Sequence, residues 1–187
     1  DQSVSLALQR LYNDQKSDGG WGWFSRDRSD ALVTAYALIG LTEARQNGFQ
    51  ISENVTELAI RFLQERLTQE TLGPRPSRFA LNRQAFLNYA LALADAGNYP
   101  RLITLFDRRE QMSTYARAFL AMSFYEVDPN QRDYINTLIS DLNSRAIVSA
   151  TGAHWEEAVA DRFNWNTDTR TTAIVLKALV QTDPTNG

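Results

Sequence analysis

Cysteine is absent from the 187 residues. That excludes disulfides, thiolate metal sites and a cysteine nucleophile within them. It leaves the compartment open, because extracytoplasmic proteins can also lack cysteine. Histidine occurs once, as His154, which is too few for a multi-histidine metal centre. Long apolar runs are missing too: no stretch is long enough to span a bilayer, and the first residues lack the pattern of a signal peptide. An excess of charge of one sign is also missing. Nineteen Lys and Arg stand against 22 Asp and Glu, a net charge of -3. With no basic stripe, nothing electrostatic points to nucleic acid. Arg108 and Arg109 sit beside Asp107 and Glu110, a solvated turn.

What is present is ordinary for a globular protein: 43% hydrophobic and 22% charged residues. The length fits one domain, residues 1–187, or a fragment of one. Helical periodicity begins at once, at Val4, Leu8, Leu11 and Tyr12, so the chain reads as a piece of a longer polypeptide.

Helical segments separated by turn signals follow one another. The first is expected from about Ser3 to Gln15, closed by the Asp18-Gly19-Gly20 turn. The second runs from Asp30 to about Asn47 and stops at Gly48. Ser52 can cap a third, whose Val55, Leu58, Ala59, Phe62 and Leu63 keep a helical period. Pro74 and Pro76 precede a fourth, from about Phe79 to Ala96. A short fifth follows Pro100, and a sixth spans about Ser113 to Tyr125. Asp128-Pro129-Asn130-Gln131 reads as the start of a seventh. A non-helical stretch, about Ala146 to Thr167, leads into an eighth, Asp168 to Gln181.

The odd-numbered helices are amphipathic, while the even-numbered ones are apolar or small most of the way round. A helix apolar on all sides must be covered on all sides. Alternation of the two kinds describes an inner and an outer layer: an all-α, α/α-toroid arrangement of antiparallel hairpins, with Leu32, Ile39, Tyr89, Phe119, Val175 and Leu176 buried. A tetratricopeptide-like solenoid is the alternative, but hairpin starts near residues 3, 52, 98 and 130 are too uneven for a 34-residue repeat.

Two stretches repeat one another. Gln15-Lys16-Ser17-Asp18-Gly19-Gly20-Trp21-Gly22-Trp23-Phe24 precedes a helix reading Asp30, Thr34, Ala35, Leu38, Leu41. Gly152-Ala153-His154-Trp155-Glu156, with Trp165 following, precedes one reading Asp168, Thr172, Ala173, Leu176, Leu179. Each is a tryptophan-bearing loop feeding a helix that opens on a capping Asp. The indoles can act as packing, which places Trp21 and Trp155 in the interior, and the Gln15 amide can accept from the orphan N–H groups of a neighbouring helix start. Alternatively the tryptophans line a sugar or terpenoid pocket.

The Gln15-x-x-Asp18-Gly19-Gly20-Trp21 loop and the helix after it resemble the terpenoid cyclase-like α/α-toroid superfamily. Together with Trp155 and Trp165-Asn166-Thr167-Asp168, the chain is most similar to the thioester-containing domain of bacterial α2-macroglobulin-like proteins, from about Leu8 to Leu179. The resemblance implies a partial toroid, an extracytoplasmic location, neighbouring β-sandwich domains in a larger parent, and proteases as targets. That family's thioester needs a Cys-x-Glu-Gln motif, which this sequence lacks. No catalytic, cofactor or metal residue is therefore carried over, and Gln15, Asp18, Gly19, Gly20, Trp21, Trp155, Trp165 and Asp168 stand as a structural motif.

Other groupings are weaker. Glu156, Glu157, Asp161 and Asp168 form an acidic cluster that could serve glycoside hydrolysis, although capping accounts for Asp168 and solvation for the others. Terpenoid-cyclising acidic runs are absent. Tyr36, Phe86, Tyr89, Tyr115, Phe119 and Phe124 could form an aromatic box, but at helical spacing they read as core. The expectation is a non-enzymatic module. The alternatives are a toroid enzyme acting on a carbohydrate or isoprenoid, and a helical-repeat peptide-binding scaffold.

Overall fold

The computed structural model describes residues 2–183, which fold as an all-α chain with one short hairpin. The chain divides into two compact units, residues 1–71 and 72–187.

The first unit holds α1 (Gln2–Asp14), α2 (Ala31–Gln46) and α3 (Glu53–Gln69). Asp30 starts α2 by accepting from the Leu32 and Val33 N–H groups. Gly48, at φ +85°, ends it in the left-handed conformation that glycine adopts without cost. α2 packs on α3, and the Tyr12 hydroxyl accepts from the Ser52 N–H at the entry to α3.

The second unit is layered. α4 (Arg78–Leu93), α6 (Thr114–Val127) and α8 (Asp168–Thr182) form one row, α4 against α6 and α6 against α8. α5 (Tyr99–Phe106) lies against α4 and α6, and α7 (Arg132–Asn143) against α6 and α8. The row helices α4 and α6 are buried nearly all round, including Leu87, Tyr89, Phe119 and Leu120. α5 and α7 bury only one stripe, which in α7 is Ile135, Leu138, Ile139 and Leu142. The alternation of character read from the sequence therefore appears here as two layers.

Several expectations need correction. α7 starts at Arg132, not at Asp128. Asp128 instead closes a turn, accepting from the Asn130 N–H. The stretch after Ala146 is not irregular throughout: β1 (Ile147–Ser149) pairs antiparallel with β2 (Gly152–His154), and a 3₁₀ turn covers Arg162–Asn164. Leu176 is 47% exposed although its neighbour Val175 is fully buried. Ile39 is half-buried and Tyr36 is exposed. α2 and α8 thus bury one face and leave the other open, unlike α4 and α6.

Glu126, near the end of α6, is bonded by the Gln181 side chain. Burial pushes its pKa up, with Asp95 adding to the rise, while Gln181 and Lys177 oppose it. The fold therefore binds this proton more tightly than the unfolded chain does. Stability from this group is greatest in acid and falls as pH rises through the raised value. Glu126→Gln should raise the urea midpoint at about pH 7 and leave it unchanged at about pH 4. Equal shifts at both would show that the carboxyl is not the cause.

Candidate functional site

The two tryptophan loops are built alike, each within its own unit. In the first, the Trp21 N–H donates to Thr34 Oγ1 at 2.9 Å and the indole N–H to the Leu11 carbonyl at 2.8 Å. In the second, the Trp155 N–H donates to Thr172 Oγ1 at 3.0 Å and the indole N–H to the Leu142 carbonyl at 2.8 Å. Leu11 and Leu142 lie in the last turns of α1 and α7, and each carbonyl also accepts a backbone N–H from just beyond its helix, that of Gln15 and of Arg145. Each indole therefore closes the helix before its loop, and its backbone is fastened to the first turns of the helix after it. Both rings are 3% exposed.

The rest of the first loop is fixed by close approach. Gly19 sits at φ +85°, and a Cβ there would lie 2.4 Å from the Leu58 carbonyl oxygen of α3. At Gly20 a Cβ would meet Ser29 at 2.6 Å. Asp18 Oδ1 accepts from the Gly20 N–H and from the Ser29 hydroxyl. Gln15 acts in the opposite sense to that expected: its amide donates, to the carbonyls of Gly19 and Val55, both at 2.9 Å.

In the second loop Asp168 is not the cap. Thr167 caps α8 by accepting from the Arg170 N–H, and Asp168 accepts from the Glu157 N–H. Trp165 is half-buried in the left-handed conformation at φ 54°, turning the chain between the 3₁₀ turn and α8. His154 is exposed and pairs with Glu156 at 3.2 Å.

Solvation does not account for Glu157 and Asp161, which corrects the reading of the acidic cluster. Asp161 is 1% exposed. Its carboxylate accepts from Asn82 Nδ2 (2.7 Å), the Tyr115 hydroxyl (2.6 Å), and the Asn164 backbone and side-chain N–H groups (3.1 and 2.9 Å). Glu157 accepts from the Thr114 and Tyr115 N–H groups, the first turn of α6, and from the Thr171 hydroxyl. It supplies the cap that Ser113 does not, since the Ser113 side chain makes no capping bond. An anion at a helix N-terminus is also favoured by the helix dipole. Burial, together with the bond to Asp161, holds the Tyr115 pKa far above its ordinary value. The 155–168 loop thus ties together α4, α6 and α8. No local sequence signal marks a cap 42 residues downstream of the helix it serves.

Phe86, Tyr89, Tyr115, Phe119 and Phe124 of the second unit are core, whereas Phe163 is exposed. The Phe119 ring centroid lies 5.0 Å from that of Phe86 and 5.1 Å from that of Tyr89, and the Arg170 guanidinium lies 5.5–5.8 Å from the Tyr115, Phe119 and Phe86 rings. Among the described residues no three His, Asp or Glu groups converge to hold a metal. The carboxylates that do converge are committed to helix N-terminal and side-chain donors.

The first unit carries an open groove of 420 Å³. Leu11, Trp23, Phe24, Tyr36, Ala37 and Gly40 are among its walls. Lys16 holds the Phe24–Ser25 segment by donating to both carbonyls. Trp23 and Phe24 are exposed.

No family model matches the chain. It is 25% identical to an alpha-2-macroglobulin of Thermotoga maritima over 98% of its own length, and spans 12% of that relative. It superposes on the Escherichia coli alpha-2-macroglobulin solved from domain MG7 to the C-terminus with a TM-score of 0.72, at 15% identity, covering 95% of this chain and 28% of that one. The trypsin-activated Escherichia coli protein gives 0.71 at 16% identity, covering 95% and 12%. The Salmonella protein reacted with methylamine gives 0.72 at 18%, covering 95% and 11%. The chain is homologous to bacterial alpha-2-macroglobulin, to a region within much larger proteins, and shares the fold of that region.

Proposed function

We propose that this chain is a non-enzymatic domain, whole or partial, of a bacterial alpha-2-macroglobulin-like protein that traps proteases. In this reading it is a partial α/α toroid that packs against neighbouring domains of a larger, extracytoplasmic parent and presents a binding surface. The observation that carries the reading is similarity to one such protein along almost the whole chain while spanning only 12% of it. The site chemistry agrees. Trp21 and Trp155 are spent on closing helices, and Glu157 and Asp161 on holding donors. No helix of the described residues is long and apolar enough to cross a membrane.

Trapping is tested on the polypeptide expressed from its complete gene, with trypsin as probe. Incubation should yield a compacted species on native electrophoresis, in which the trypsin still cleaves a small peptide but no longer a large protein. Ordinary fragmentation with trypsin fully active on large substrates would sink the trap. The absence of catalysis is tested on the 187-residue chain, against glycosides and isoprenoid diphosphates. Turnover that disappears in a Glu156→Gln, Asp168→Asn double variant would establish an enzyme instead.

A further inference from the structure

The internal repeat says what covers the open groove of the first unit. Thr34 and Thr172 make the same bonds to their tryptophans, so they set α2 and α8 in register. In that register Val33, Ala37, Gly40 and Ala44 of α2 correspond to Thr171, Val175, Ala178 and Thr182 of α8. Those four are the residues that α8 buries, and α6 is its main neighbour. The equivalent face of α2 is less covered: Gly40 is exposed, Val33 and Ala44 are half-buried and only Ala37 is buried, and Val33, Ala37 and Gly40 line the groove.

Gly40 is the informative residue. Glycine inside a helix weakens it, and here no packing within the unit explains its presence, since a Cβ at this position would meet nothing within 4 Å. Its counterpart Ala178 is fully buried. A small residue at that position lets a second helix approach closely, and packed helices lie about 8–10 Å apart only when the contact residues permit it.

We propose that the Val33–Tyr36–Gly40 face of α2 is a helix-docking surface. Its occupant is an apolar helix of the same, longer polypeptide, packed on α2 as α6 packs on α8. This rests on the reading of the chain as part of a larger protein, where the Thermotoga maritima relative extends far beyond the matched region. Five of the six groove walls named above are apolar or aromatic and the sixth is Gly40, and the Lys16 ammonium, which also lines the groove, is already held by backbone carbonyls. Both suit an apolar helix better than a charged ligand.

The test compares the 187-residue chain with the polypeptide from the complete gene, each carrying Gly40→Leu. The short chain should keep or raise its Tm, because the space is open. The complete polypeptide should lose several degrees, because the leucine meets the docked helix. A Ser25→Cys variant at the groove lip introduces the only thiol into these residues. Its maleimide labelling, followed by mass mapping, should slow at least tenfold in the complete polypeptide. Gly40→Leu tolerated equally in both forms, or labelling equally fast in both, would overturn the proposal. So would protection in the short chain that vanishes on dilution, which would make a second copy the occupant. Trypsin trapping is read separately, so its failure leaves this result standing, and the reverse also holds.

Discussion

Replacing Trp155 with alanine should destabilise the second unit by roughly 3–5 kcal/mol, the range for deleting a large buried aromatic side chain. The ring is buried, and its removal does more than open a cavity. The Leu142 carbonyl loses the indole N–H that closes α7 but keeps the Arg145 N–H, so the lost bond adds about 0.5–1.5 kcal/mol. Trp155→Phe separates the two contributions, since it keeps much of the apolar volume and loses only the donor. It should fall between wild type and Trp155→Ala in urea unfolding. Trp23→Ala is the control. That ring is 59% exposed, so its removal should change stability by about 0.5 kcal/mol or less, as for surface positions generally. Stability retained in Trp155→Ala, with loss of binding to a sugar or terpenoid, would restore the pocket reading.

The same residue shows why the loops were legible in the sequence. Glycine and tryptophan are informative because each tolerates few environments. Gly19 must turn with positive φ against the α3 backbone, and the indoles of Trp21 and Trp155 bury large apolar area, whereas Trp23 in the same motif stays exposed. Helix existence was legible for a related reason, since periodicity is a local property. Boundaries were less so: at α7 the Asp128-Pro129 signature proved to be a turn, because Asp128 satisfies Asn130 and Gln131 rather than a helix N-terminus.

Non-local partnerships were not legible. Leu176 and Val175 are adjacent and both aliphatic, yet one is exposed and the other fully buried. The difference is set by where α6 lies, and composition alone gives α8 no preferred side. Glu157 and Asp161 look like any acidic loop residues. Their partners, Thr114, Tyr115 and Asn82, come 42 to 79 residues earlier. A charge is read as solvated by default, and only the folded chain shows that donors have replaced the water.

That replacement makes Asp161 the most consequential polar residue of the second unit. One of its oxygens accepts from Asn82, Tyr115 and Asn164 together, and the other from the Asn164 backbone. Asp161→Ala leaves these donors facing one another without an acceptor. Even with Asn82 still bonded to Ser113, the loss should be roughly 3–5 kcal/mol, summing about 1–3 kcal/mol for each donor left buried and unpaired. Asp161→Asn provides the internal comparison. Its amide oxygen can occupy the crowded position and keep three bonds, while its NH₂ group meets the Asn164 N–H and loses the fourth. Its cost should therefore be about 1–3 kcal/mol, clearly below that of alanine. Urea unfolding of both variants at neutral pH decides the matter. If Asp161→Asn equals wild type while Asp161→Ala is mildly affected, water reaches the site and the carboxylate is dispensable. If Asp161→Ala unfolds the unit and Asp161→Asn sits midway, α4 and α6 are held together at one end by a single buried carboxylate.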